Sequence, residues 1–246
     1  MKLKLNWKYY KGDYDTKTTT IKTIQLKNMK KIMFNDRFGL TQAVIDGRKT
    51  ITRRIAYTKD VRFLNLGWDV KTHQRVICDG EFVVARSQYK IDEVVAIAQS
   101  YKDINELGIV QSKPTQGDEY IWFGNGGGTE HVWAENHAGW TNKMFVKADL
   151  MPHHIKITNI RVERLQDISD EDCMKEGIYK HDPVHMVGFN HKFIAYSYDA
   201  TEDPKLKKWW FPTPREAFQK LIDKVSGVGT WDSNPLVFVY EFELVD

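Results

Sequence analysis

The stretch Asp46-Gly47-Arg48-Lys49-Thr50-Ile51-Thr52-Arg53-Arg54 decides how this chain is read. It holds four cations in nine residues, with two threonines among them. Just upstream, Phe38, Thr41, Ala43, Val44 and Ile45 recur at mixed i+3/i+4 spacing, which predicts a short helix over Asp36 to Asp46. Gly47 is the expected residue past its end, because a left-handed backbone costs glycine no Cβ clash. From Thr50 to Ile55 the residues are β-branched and alternating, which predicts a strand. Thr50, Thr52 and Arg54 then share one face, and Ile51, Arg53 and Ile55 share the other. Lys49 and Thr52 sit across the corner from each other, so a bend at the strand start brings an ammonium and a hydroxyl to one spot.

The surroundings are those of a folded domain. The chain has 246 residues, 41 % apolar and 28 % charged, a globular composition long enough to bury a core. The net charge of +3 is uneven. Residues 1–31 hold nine lysines against Asp13 and Asp15, a local balance of +7 that leaves −4 for the rest. A basic arm ahead of a mildly acidic body fits contact with RNA, DNA or another polyanion, and fits a solvated leader as well. Cys78 and Cys173 lie too far apart in sequence to suggest a disulfide framework or a zinc pattern. No apolar run approaches the ~20 residues that span a bilayer. The lysines at the N-terminus precede no apolar signal region, so the expected setting is cytoplasmic, with no membrane partner.

Residues 1–28 read as a basic arm, either an edge strand over Thr18 to Ile24 or a tail. The domain begins near Met29, with Ile32-Met33-Phe34 as a short buried strand. Val76-Ile77-Cys78 and Phe82-Val83-Val84-Ala85 flank Asp79-Gly80, a hairpin signal. Glu93 to Ala98 is a near-continuous apolar strand, and 102–118 read as loop and turn. Gly124 and Gly126 to Gly128 follow Tyr120-Ile121-Trp122-Phe123. The glycines do not make a P-loop, since no Lys-Ser/Thr and no apolar helix come after them. The interleaved His131, Trp133, His137, Trp140 and Phe145 suit base stacking, although Trp133 and Phe145 suit a place in the core better.

After Met151-Pro152, Ile155, Ile157, Ile160, Val162 and Leu165 alternate with one phase slip at Thr158-Asn159, a long half-buried strand with a bulge. Ser169 then caps a short acidic helix that ends at Gly177 and puts Glu176 in its last position. A carboxylate is disfavoured there by the helix dipole, so Glu176 either has a cation to meet or faces solvent at a small penalty. His181 and His185 have i,i+4 spacing, but Pro183 breaks any helix between them and no metal site follows. Thr213-Pro214-Arg215-Glu216 is a capping box for a helix that presents Ala217, Phe218, Leu221, Ile222 and Val225 on one face. Leu236 to Leu244 closes the chain as a strand that starts in the core and leaves along an edge.

Five segments together resemble the ASCH family of the PUA-like superfamily, in its longer bacterial and phage form. They are Ile32-Met33-Phe34 with the 46–54 run, Tyr89 to Tyr101, Met151-Pro152, Ile155 to Gly177, and Trp231 to Leu244. The resemblance implies an α+β fold: a mixed β pseudo-barrel with flanking short helices, as a single domain over 29–246. Insertions relative to a minimal domain fall at about 57–88, 102–150 and 178–212. One branch of the family consists of amidohydrolases acting on N4-acetylcytidine through a Lys and a Thr of the Gly-Arg-Lys-Thr-x-Thr motif and a Glu on the later short helix. Carried over, these fall on Lys49, Thr52 and Glu176. The chain departs from that branch in placing Arg53-Arg54 directly after Thr52 and in its long insertions.

The residue types suit that chemistry. A threonine hydroxyl needs a neighbouring base to become a nucleophile, and a lysine serves when burial or nearby cations lower its pKa. Glu176 is placed to orient the lysine or relay a proton. Arg48, Arg53 and Arg54 are expected to tune the lysine, hold an oxyanion or grip a phosphate, with Trp122, Trp133 or Trp140 stacking on a base. The alternative is a module that binds RNA or DNA and catalyses nothing, with a nuclease as a third reading. No metal or organic cofactor is implied.

Overall fold

The computed structural model describes residues 29–56, 62–106, 110–115, 118–123, 139–181, 184–185, 192–198 and 210–245. The basic arm 1–28, the Gly124–Gly128 loop, His131, Trp133 and His137 lie outside them. In chain order the described strands are β1 (Lys31–Ile32), β2 (Ile51–Ile55), β3 (Leu64–Asp69), β4 (Gln74–Asp79), β5 (Phe82–Arg86), β6 (Val94–Ile97), β7 (Val110–Thr115) and β8 (Asp118–Phe123). They continue with β9 (His154–Arg164), β10 (Tyr179–Lys180), β11 (Val184–His185), β12 (Lys192–Phe193), β13 (Tyr196–Ser197) and β14 (Leu236–Leu244). The described α-helices are α1 (Leu40–Ile45), α2 (Tyr101–Glu106), α3 (Asp170–Lys175), α4 (Pro214–Ser226) and α5 (Thr230–Ser233). The chain is thus α+β, with several sheets and short helices, and it divides into two compact units. One unit takes Met1–Phe34, Val94–Ile155 and Leu244–Asp246; the other takes Asn35–Glu93 and Lys156–Glu243.

In the first unit β1 runs parallel to β6, with Lys31 opposite Ala96 and Ile32 opposite Ile97. Ile32 and Phe34 point inward while Met33 is turned out. Ala96, Tyr101, Ile104, Val146 and Met151 form a core onto which Trp140 packs half-buried. Two features differ from the loop and turn expected at 102–118. Helix α2 opens there, because Ser100 and Asp103 cap it reciprocally: the Asp103 amide donates to Ser100 Oγ at 3.2 Å, and the Ser100 amide donates to Asp103 Oδ2 at 2.8 Å. Strand β7 follows and pairs antiparallel with β8. Phe145, which suited a core position, is instead 55 % exposed.

In the second unit β9, β14 and β2 lie side by side in that order. β14 and β2 are antiparallel, with Tyr240 opposite Thr52 and Val239 opposite Arg53. The phase slip in β9 is present, since Thr158 and Asn159 are both exposed between buried Ile157 and Ile160. The expected Asp79-Gly80 hairpin joins β4 to β5, with Gly80 at φ 61, and β3 adds a third antiparallel strand that the local pattern did not signal. Helix α4 is capped by Thr213, whose hydroxyl accepts from the Glu216 amide at 3.2 Å. It buries Ala217, Phe218, Leu221 and Ile222, but Val225 in its last turn is 39 % exposed rather than on the core face.

The helix ahead of the corner is interrupted. Asp36–Phe38 form a 3-10 turn, and α1 starts only after Gly39, whose φ of 63 breaks the run. Its end is as expected: Gly47 has φ 73, its amide donates to the Val44 carbonyl, and the Arg48 amide reaches back to the Ala43 carbonyl at 2.9 Å. That pair of bonds is a Schellman closure, and it turns Arg48 and Lys49 sharply off the helix.

Candidate active site around Lys49 and Glu176

Two backbone ties fix the start of β2. The Thr50 amide donates to the Lys175 carbonyl at 3.0 Å, and the Phe242 amide donates to the Thr50 carbonyl at 2.9 Å. The corner is therefore stitched to the end of α3 on one side and to β14 on the other. Helix α3 carries its acids in the first turn and Ser169 as its cap. Gly177, with φ 102, lets the chain leave α3 where a Cβ would already touch Leu40, Ala43 and the Lys49 Cβ.

These ties put Lys49 and Glu176 together inside the second unit. Lys49 is 2 % exposed, and its Nζ donates to the Ile51 carbonyl at 2.8 Å, the Glu176 carbonyl at 2.8 Å and Glu176 Oε2. Glu176 is 4 % exposed. The cation that its unfavourable helix position called for is thus present, and there are two of them, since Arg53 Nη1 donates to Glu176 Oε1 at 3.2 Å. Burial holds the Lys49 amine below its ordinary value, against the opposing pull of Glu176, and Arg54 and Arg53 push it further down. Thr52 is also buried, at 5 % exposure, two residues along β2 from Thr50.

Arg53 is not available to a ligand. Its Nε and Nη2 both donate to Glu163 Oε1, at 2.9 and 2.6 Å, and Nη2 also donates to Asp172 Oδ2 at 2.8 Å. Arg161 continues the array, donating to Glu163 Oε2 at 3.0 Å, to Asp172 and to Glu241. Burial alone would lower the Arg53 pKa, but Glu176 and Glu163 raise it above the usual value. Burying these charges is costly, and the array is tolerable because each is hydrogen-bonded to an opposite one. Glu163, Asp172, Arg161 and Glu241 were not singled out from sequence. The one available signal is that Arg161 and Glu163 alternate on β9 and so share a face.

Arg48 and Arg54 differ from Arg53. Arg48 lies over the Tyr179 ring with its guanidinium carbon 4.1 Å from the centroid, donates to the Tyr179 hydroxyl, and pairs with Asp46 at 3.5 Å. Arg54 is half-buried, opposite Phe238. Tyr89 and Tyr240 meet edge to face at 5.2 Å, and Arg54 acts electrostatically on both phenols. Of the tryptophans, Trp140 packs on the core of the first unit; the Trp122 side chain and all of Trp133 lie outside the described residues.

Among the described residues, no group of three or more His, Cys, Asp and Glu is arranged to hold a metal ion, and no helix is long and apolar enough to cross a membrane. No protein-family model, no curated protein and no solved structure matches this chain.

Proposed function

We propose that the chain is an ASCH-type hydrolase with a PUA-like fold, cleaving the amide of an N4-acylated cytidine-like base. One observation carries this reading: a carboxylate at the unfavourable end of a short helix is buried on a buried lysine, at the start of the strand that holds Thr52. In the reaction Lys49, in its neutral form, takes the Thr52 proton as Oγ attacks the acyl carbon. A carbon–oxygen bond forms and the carbonyl electrons move to the oxygen. Collapse of that intermediate breaks the carbon–nitrogen bond, and the amine leaves with the proton returned by Lys49 under the control of Glu176. Water then hydrolyses the acyl-threonine and releases the acid. The lowered amine pKa favours the neutral lysine that the first step needs. Arg53 acts by positioning Glu176.

A purely nucleic-acid-binding role is less well supported. It draws on the cations of the corner, and two of the four, Lys49 and Arg53, are buried and engaged by carboxylates. The test is chromatographic: purified protein and its Thr52→Ala variant are incubated with N4-acetylcytidine, and release of cytidine is followed. Conversion by the parent protein alone is expected. Conversion by both proteins removes Thr52 as nucleophile, and conversion by neither moves the weight to RNA or DNA binding.

A further inference from the structure

The three-stranded sheet of the second unit leaves one edge open. Its middle strand, β4, buries Val76 and Ile77, and Arg75 Nε ties it to the Ile160 carbonyl of β9 at 3.1 Å. β3 lies outside β4, and among the described residues no strand adjoins its far side. The Gly80 amide donates to the Phe63 carbonyl at 2.9 Å, which sets the phase of the β3–β4 ladder. Asn65, Gly67 and Asp69 therefore turn their main-chain groups toward β4, and Leu64, Leu66 and Trp68 turn theirs outward.

That edge is apolar and unguarded. Phe63, Leu64, Leu66, Trp68 and Val70 are all exposed, from 38 to 74 %. Between Arg62 and Asp69 the sequence has no charge and no proline. Asp69 is engaged within the sheet, by Arg86 at 3.2 Å and by the Lys71 and Thr72 amides. Other edges carry the features that discourage pairing: β7 has Lys113 and Pro114, and the β4–β5 ladder shifts register at Ile77/Cys78.

The pattern fits a second copy of itself. Laid antiparallel about a two-fold axis at Leu66, β3 sets Leu66 opposite Leu66 and Leu64 opposite Trp68 of the other copy. All three outward-facing residues of each strand then exchange main-chain bonds, which a shifted register does not achieve within the strand. At ~150–200 Å² for a side chain of this kind, the five exposures amount to on the order of 500 Å² per copy. A pair then buries about 1,000 Å², the lower end of specific interfaces. An acidic or basic partner would find no countercharge on the strand between Arg62 and Asp69.

We propose that β3 pairs edge to edge with β3 of a second copy, joining two three-stranded sheets into one across a symmetric dimer. The inference is independent of the hydrolase reading. The experiment is sedimentation equilibrium of the full chain from about 1 to 100 μM, where a reversible monomer–dimer equilibrium with a micromolar dissociation constant is expected. Leu66→Lys sets two ammonium groups opposite each other at the axis and is expected to weaken the dimer about fivefold or more. Thermal melts of parent and variant at low concentration separate loss of pairing from loss of the fold. The register is read by Leu66→Cys and Leu64→Cys, made singly in a Cys78→Ser background and mildly oxidised. Across a hydrogen-bonded pair the Cα atoms are about 5.5 Å apart, within disulfide reach, so Leu66→Cys is expected to give a covalent dimer. The two copies of position 64 lie four residues out of register, about 13 Å, so Leu64→Cys is expected to give none.

A parent protein that stays monomeric throughout overturns the proposal and leaves the edge to another segment or partner. So does a dimer that Leu66→Lys does not weaken, crosslinking through Leu64→Cys equal to that through Leu66→Cys, or assembly that grows past the dimer with concentration.

Discussion

Lys31 in the first unit and Lys49 in the second both lose water, and burial lowers the pKa of each amine. They are met differently. Lys31 Nζ donates to three backbone carbonyls, those of Lys143 at 2.9 Å, Met144 at 2.6 Å and Val146 at 2.6 Å. Lys49 has two carbonyls and the Glu176 carboxylate, which it shares with Arg53. A backbone carbonyl holds an ammonium and does not take its proton. A carboxylate carries a countercharge, can accept a proton, and transmits the position of its second cation. The first lysine is a strap on a loop; the second is part of a coupled charge array.

The largest expected effect tests that distinction directly. Glu176→Gln leaves Lys49 and Arg53 without their shared countercharge, and is expected to cost about 3–5 kcal/mol in urea unfolding. Lys31→Met removes an amine held by three backbone carbonyls, and is expected to cost about 1–3 kcal/mol. Equal costs would abolish the comparison. The double variant Lys49→Met/Glu176→Gln sharpens it, because non-additivity measures the coupling itself.

Gly177→Ala comes next. The added Cβ meets neighbours at ordinary contact distance, so the penalty is the φ of 102, about 1–3 kcal/mol by the same measurement. Because Gly177 follows Glu176, the proposed hydrolysis of N4-acetylcytidine is expected to fall with it.

A pH series shows the same burial acting with the opposite sign. Burial pushes the Tyr89 and Tyr240 phenols from 10.0 up to about 12. Both are neutral in folded and unfolded chains below pH 10, where their contribution is fully present. Between pH 10 and about 12 the unfolded chain ionises first, so stability falls as pH rises. Tyr240→Phe is expected to make that alkaline loss shallower in denaturant midpoints taken across the window. The smallest effect is Phe145→Ser, an exposed ring close to the Lys31 cage, expected within about 0.5 kcal/mol of the parent.

The parts of the fold that were legible in sequence are those with a local cause. The closure at Gly47, the capping box at Thr213, the cap at Ser169 and the apolar start of β14 each follow from residues within one turn or one strand. The misplacement of Glu176 at a helix end was legible for the same reason. The cap at Ser100 and Asp103 was equally local, but α2 is a single short run and gave no periodicity to support it. Arg53 was legible in half. Its alternation put it on one face with the apolar Ile51 and Ile55, yet a cation invited a role toward ligand. Its partners Glu163 and Asp172 lie 110 and 119 residues away, where no spacing rule reaches. The array that neutralises it is a product of how β9, β14, β2 and α3 meet, and only the folded chain displays it.

The separation of 127 residues between Lys49 and Glu176 has a consequence for biosynthesis. Contacts so distant in sequence carry a large loop-closure cost and form late. A nascent chain that has emerged only as far as β9 already holds Lys49, Thr52 and Arg53 but neither Asp172 nor Glu176. Its cations have no interior to enter, so the corner stays wet and the strand start unclosed until α3 and then β14 arrive. The last pieces of the array are therefore also its lock: the protein cannot bury its cationic corner before it has made the residues that hold it.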